Sequence, residues 1–180
     1  MNEVIQKVVE EDFPLAEQSF SDDLDEEVSE IKRFLMFDIS HKVFGININT
    51  IKEIIEHGNI TKVPMAPPYI RGVINLRGNV VPIIDLAVRL GFEPKPTNKR
   101  SCFILVEVAH EDRTVELGCI VDCVDEVMDI PSGEVKPAPE FGSDIHPDFI
   151  EGLGLREGSY ATLLDVNKVL SIQTLSQLVK

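Results

Sequence analysis

The chain has no tryptophan, two tyrosines, three cysteines and four histidines among its 180 residues. Each scarcity excludes something. An odd set of three cysteines, in a chain with no visible secretion signal, reads as reduced thiols and excludes a disulfide framework. Cys119 and Cys123 stand four apart with no second pair. Cys102 and Cys119 fall in strand-like runs, where a small buried thiol is the ordinary state. His41, His57, His110 and His146 sit in polar, turn-like stretches without a neighbour at zinc-ligand spacing, so no metal site is expected. The missing tryptophan removes one common anchor of binding hot spots.

Positive charge is short as well. Lys+Arg number 17 against 31 Asp+Glu, a net charge of −14 with a pI of 4.6. Phosphate recognition needs a basic face, and so does attachment to anionic lipid, so neither nucleic acid nor a lipid surface is an expected partner. Apolar runs are short. The one at 102–106 falls far below the ~20 residues that cross a bilayer, so no membrane insertion is expected. Residues 1–30 lack a basic segment leading into an apolar one, so no secretion signal is expected either. With 43% hydrophobic and 27% charged residues, the chain reads as one soluble domain or two small ones sharing a core.

The acidity is concentrated at one end. Residues 1–30 hold eleven acids and one base, Lys7, leaving only −4 for the rest. A block of that kind repels itself and buries little, so residues 1–32 are expected to form a disordered or weakly helical arm. From Phe34 onward the texture is short β-rich runs broken by turns. Residues 33–39 and 42–48 flank a Ser40-His41 hairpin, and 72–76 and 79–85 flank Arg77-Gly78. Runs at 101–108, 114–121 and 125–130 follow, then a last pair near 150–155 and 159–164. Residues 50–56 are expected to form a helical turn. Proline-rich connectors occupy 63–68 and 136–139, where neither helix nor central strand is tolerated. Residues 166–179 carry helix-spaced apolar residues behind Asp165 as N-cap, ending in a helical tail at 172–180.

Sliding the body against itself reveals a duplication. At a shift of 73 positions Gly45 meets Gly118, Glu53 meets Glu126, Ile54 meets Val127 and Pro64 meets Pro137. Beyond the connector the shift becomes 80. Gly72 then meets Gly152, Gly78 meets Gly158, and Ile83-Ile84-Asp85 meets Leu163-Leu164-Asp165. Apolar coincidences are cheap in β proteins, whereas paired glycines mark the same turn or close approach twice. The body therefore reads as two copies of one unit, about 33–92 and 100–171, each with roughly five short strands and too small for a robust core alone. Two small barrels packed together, or exchanging strands, would close the open edges.

The chemistry on offer is thin. Residues 152–158 miss the dinucleotide loop narrowly, but a strand-like Ser-Tyr-Ala-Thr-Leu-Leu follows where a helix is required. No nucleophile elbow, phosphate loop or carboxylate dyad is present, so no catalytic residue and no cofactor are expected. Asp85 and Asp165 occupy equivalent positions and read as helix N-caps. Asn75 and Arg77 bracket Leu76 at a hairpin tip, where a packed arginine needs a partner.

Assembled, these residues resemble the CheW family of bacterial chemotaxis adaptors, from about 34 to 170. The run at 63–86, VPMAPPYIRGVINLRGNVVPIIDL, is the specific match. IKEII at 51–55, GCIVD at 118–122, VKPAP at 135–139, Gly152-Leu-Gly154 and LLDV at 163–166 follow in the family's order. The resemblance implies an all-β fold with short helices, built as two five-stranded SH3-like β-barrels. It implies a non-enzymatic cytoplasmic adaptor, recruited to receptor arrays at the inner membrane. Its partners would be the regulatory domain of the histidine kinase CheA and methyl-accepting chemotaxis receptors. Because that kinase domain resembles the family, the two would alternate in rings. Ile51, Glu53, Gly72 and Arg77 occupy the positions implied in receptor binding, while Gly45, Gly78, Gly118, Gly152 and Gly158 are structural turns. An adaptor of a non-flagellar chemosensory system fits the same residues, and a small nucleotide-binding enzyme is supported only by the near-miss glycine loop. Since nothing follows Lys180, a fusion to a receiver domain is not expected.

Overall fold

The computed structural model describes residues 30–140 and 142–171. Strands β1 (Ile31–Ile39) and β2 (Lys42–Asn47) form the first hairpin, followed by β3 (Ile51–Glu56). After the proline-rich connector come β4 (Ile70–Leu76), β5 (Asn79–Asp85) and the one-turn helix α1 (Leu86–Arg89). The second half repeats this with β6 (Cys102–His110), β7 (Arg113–Val121), β8 (Cys123–Pro131), β9 (Ile150–Arg156), β10 (Ser159–Leu164) and α2 (Val166–Val169). Both short helices start on the expected aspartates. Asp85 accepts from the Val88 amide and Asp165 from the Lys168 amide.

The strands form two five-stranded sheets, ordered β8-β1-β2-β10-β9 and β3-β6-β7-β5-β4. Exchanging each strand for its counterpart in the other repeat turns the first order into the second. Each sheet therefore takes two strands from one half of the chain and three from the other. The halves join through two pairings per sheet, one parallel (β10 on β2, β5 on β7) and one antiparallel (β1 on β8, β3 on β6); the remaining pairings are antiparallel. At these junctions Gly45 lies opposite Leu163, and Gly118 opposite Ile83. A Cβ on Gly45 would stand 2.9 Å from Leu163 Cδ2, and one on Gly118 2.5 Å from Ile83 Cδ1. The paired glycines thus mark the same close approach twice.

Packing explains why β1 and β6 are apolar on both faces. Phe34 and Met36 point into a small core with Ala161 and Leu163, inside the first sheet's curl. Phe103 and Leu105 do the same with Ile74, Val81 and Ile83 in the second. Their neighbours Leu35, Phe37, Ile104 and Val106 face the opposite way, into a larger core shared between the sheets. Alternation with period two, applied to a strand between two cores, yields the near-continuous runs seen in the sequence. Each curl is drawn shut between its end strands. The Thr61–Val73 bridge ties the chain beyond β3 to β4, and the Lys136–Leu153 bridge ties that beyond β8 to β9.

Four expectations need correction or limits. Residues 50–56 do not form a helical turn; 51–56 are strand β3, because pairing with β6 sets Ile55 beside Phe103. Strand β1 begins at Ile31, inside the segment expected to belong to the arm. Cys119 is buried, but Cys102, at the start of β6, is only half-buried. The helix behind Asp165 is described over Val166–Val169, and both the acidic segment 1–29 and the tail 172–180 lie outside the described residues.

Candidate functional site

Glu53 and Arg77 meet across the mouth of the second sheet. Arg77 sits in the β4–β5 turn with φ of 53°, followed by Gly78 at 85°, the two left-handed residues of a tight hairpin. Asn75 Oδ1 accepts from the Gly78 amide at 3.0 Å and holds the turn. The guanidinium then reaches β3 as a fork. Nη2 donates to Glu53 Oε1 at 2.8 Å and Nη1 to Oε2 at 2.9 Å. Such a bidentate pair fixes orientation as well as charge. The Arg77 hydrogen bond holds the Glu53 carboxyl below its ordinary value, and Glu53 raises that of Arg77.

A register shift between Ile51 and Glu53 leaves Lys52 unpaired in the ladder. Ile51 turns toward the shared core, where it is half-buried opposite Val106. Lys52 turns outward to Glu116 at 2.6 Å and Glu107 at 3.8 Å. The exposed apolar side chain of β3 is Ile54, at 42% exposure, which leaves the strand on the face opposite to Glu53. Gly72 has φ of 147°, and a Cβ there would run into the Thr61 carbonyl. Its close approach is therefore to its own chain.

Of the four residues expected at a receptor site, then, Glu53 and Arg77 are in contact, Ile51 belongs to the core margin, and Gly72 seats the connector against β4. The register shift sets Ile54, opposite Ile104, on the same face of β3 as Ile51, opposite Val106, and nothing in a run of three isoleucines signals it.

The second repeat breaks the symmetry here. The counterparts of Glu53 and Arg77 are Glu126 and Glu157, two acids. Arg156 supplies the cation instead, bonding Asp125 and Glu126 across β9 and β8. Its side chain is 16% exposed, against 68% for Arg77. Both arginines join the end strands of their sheet, but only Arg77 presents its fork to solvent.

Other exposed apolar residues flank the hairpin turns. Val80 follows Gly78 by two residues, and Tyr160 follows Gly158 by two, at 68% and 58% exposure. Leu155 lies directly across from Tyr160 and is also exposed. The glycine-rich stretch at 152–158 is β9 and its turn into β10, so it lacks the strand-to-helix passage a phosphate loop requires. Among the described residues, no three His, Cys, Asp or Glu side chains are grouped to hold a metal, and no helix is long and apolar enough to cross a membrane.

The chain is thus a duplicated pair of exchanged sheets, with an exposed ion-pair fork and apolar side chains at its turns. The CheW-like domain family model matches residues 33–174, and the chain belongs to that family. It is 30% identical over 145 residues to the chemotaxis protein CheW of Klebsiella aerogenes, covering 81% of this chain and 85% of that protein. It is 33% identical over 140 residues to a probable chemotaxis protein CheW of Rhizobium etli, covering 78% and 88%. The crystal structure of the scaffolding protein TtCheW from Thermoanaerobacter tengcongensis matches with a TM-score of 0.70 at 30% identity, covering 78% of this chain and 92% of that one.

Proposed function

We propose that the chain is a cytoplasmic chemotaxis adaptor that couples methyl-accepting receptors to the histidine kinase CheA, within arrays at the inner membrane. The observation that carries this reading is the exposed Arg77–Glu53 fork, present on one sheet and replaced on the other. A receptor tip is a helical hairpin, and its reader needs an apolar contact with charges that set register. Ile51, half-buried at the margin of β3, supplies the contact, Glu53 and Arg77 supply both signs, and Gly72 lets the backbones approach closely. The kinase regulatory domain docks elsewhere, on the apolar turns carrying Val80 and the Leu155–Tyr160 pair. Coupling in this reading requires no catalysis by the adaptor.

The experiment is a titration of the purified chain with the kinase regulatory domain and with a soluble receptor hairpin, separately and together. Binding of each, and a ternary complex at saturation, is the expected result. Failure to bind either partner, or mutual displacement, contradicts coupling.

A further inference from the structure

The half-buried thiols left unused by this reading lie together. Cys102 begins β6 in one sheet and Cys123 begins β8 in the other. Both line one open cleft of ≈ 490 Å³ with Glu56, His57, Lys99 and Arg100. Arg100 Nη2 donates to Cys123 Sγ at 3.1 Å, and the Cys102 thiol donates to the Arg100 carbonyl at 3.5 Å. Both sulfurs also meet the backbone of Val124, since the Cys123 thiol reaches its carbonyl at 3.4 Å and Cys102 bonds the same residue. Two residues, Arg100 and Val124, therefore bracket two sulfurs in a cleft open to small solutes. The third thiol is a built-in control, because Cys119 is wholly enclosed and burial pushes it up to about 12.

We propose that Cys102 and Cys123 form a hydroperoxide-oxidised dithiol, in which Cys123 is the attacking sulfur and Cys102 the resolving one. The guanidinium of Arg100 donates to the Cys123 sulfur and holds it toward the open cleft. The Cys123 thiolate attacks the nearer peroxide oxygen. An S–O bond forms, the O–O bond breaks, and the leaving alkoxide (hydroxide from hydrogen peroxide) takes a proton from water. Cys102 then attacks the Cys123 sulfenic sulfur. The S–S bond forms, the S–O bond breaks, and hydroxide leaves as water with the Cys102 proton. Burial and the neighbouring Cys123 and Glu56 raise Cys102 above its ordinary value, which keeps that proton in place until resolution. Two electrons pass from the thiols to the peroxide. The product joins the two sheets beside Asp122, where β7 of one passes into β8 of the other. This inference is independent of the adaptor reading.

The test uses the reduced full chain and hydrogen peroxide at neutral pH. Denatured thiol counts should fall from three to one, with Cys119 the survivor and a Cys102–Cys123 peptide found by mass spectrometry. Dithiothreitol should return all three. In Cys102→Ser, a dimedone adduct should appear on Cys123. Arg100→Gln should oxidise about tenfold more slowly, with Arg100→Lys intermediate. A melting curve establishes that each variant is folded. The proposal is overturned if three thiols persist, if the disulfide uses Cys119 or joins two molecules, or if Arg100→Gln oxidises at the parent rate.

Discussion

Replacing Gly118 with alanine places a methyl group at the second parallel junction, where no space exists. The added Cβ would stand 2.5 Å from Ile83 Cδ1 and 3.2 Å from Leu105 Cδ2. Both neighbours are fully buried in the second sheet's core, so neither has room to withdraw. Overpacking of that kind costs about 1–3 kcal/mol. In a body of this size that lowers the melting temperature by about 2–4 °C per kcal/mol. Ile83→Val deletes the clashing Cδ1 and alone costs about 0.5–1.5 kcal/mol. In Gly118→Ala/Ile83→Val the alanine methyl occupies the vacated space, leaving only the milder Leu105 contact. The double variant should therefore lose less than the sum of its parts, by about 1 kcal/mol. Gly45→Ala should cost less, about 1 kcal/mol, because one of its two nearest atoms is the flexible Met36 sulfur. Urea titrations of the parent and the four variants measure this. Strict additivity at Gly118 and Ile83 would refute the exchange junction as packed here.

Three further outcomes follow from the same geometry. Glu53 should titrate below the ordinary glutamate range, so its pairing with Arg77 persists above that range and is lost as pH falls through the depressed value; carbon-detected NMR reads this, and Arg77→Ala should restore an ordinary midpoint. Cys119 should resist a thiol reagent until denaturant is added, while Cys123 and the half-buried Cys102 react with the native protein. Asp85→Ala should cost more than Asp165→Ala, about 2 kcal/mol or more against about 1 by thermal denaturation, because Asp85 is buried and also accepts from Arg71 Nε at 2.9 Å.

The hairpins were legible in the sequence because their turns are written locally. Ser40-His41 and Arg77-Gly78 fall where two residues must take left-handed backbone, and both do. The duplication was legible because glycines at Gly45 and Gly118 answer to one spatial constraint. Strand β3 was not legible. Its isoleucines at 51, 54 and 55 have helical spacing and alternate with Lys and Glu, which favour helix; pairing with β6, decided by tertiary contact, overrides that preference. Which strand joins which sheet was equally hidden. β1 pairs with β8 some ninety residues away, as in Leu35 opposite Val127, and no local pattern encodes such a choice. At the candidate site the sequence identified the fork, because a hairpin arginine needs a partner. The register shift at Lys52, which sets Ile51 and Ile54 on one face of β3, has no local signal.

Coupling requires that Arg77 present its charge to a receptor while the kinase binds elsewhere. Arg77→Ala, measured in parallel against a soluble receptor hairpin and the kinase regulatory domain, isolates that claim. With 68% of its side chain exposed, Arg77 should be removable without unfolding the sheet, which a melting curve verifies. Receptor affinity should fall by about 1–3 kcal/mol while kinase affinity stays at the parent value. Unchanged receptor affinity in the folded variant, or equal weakening toward both partners, would contradict the account.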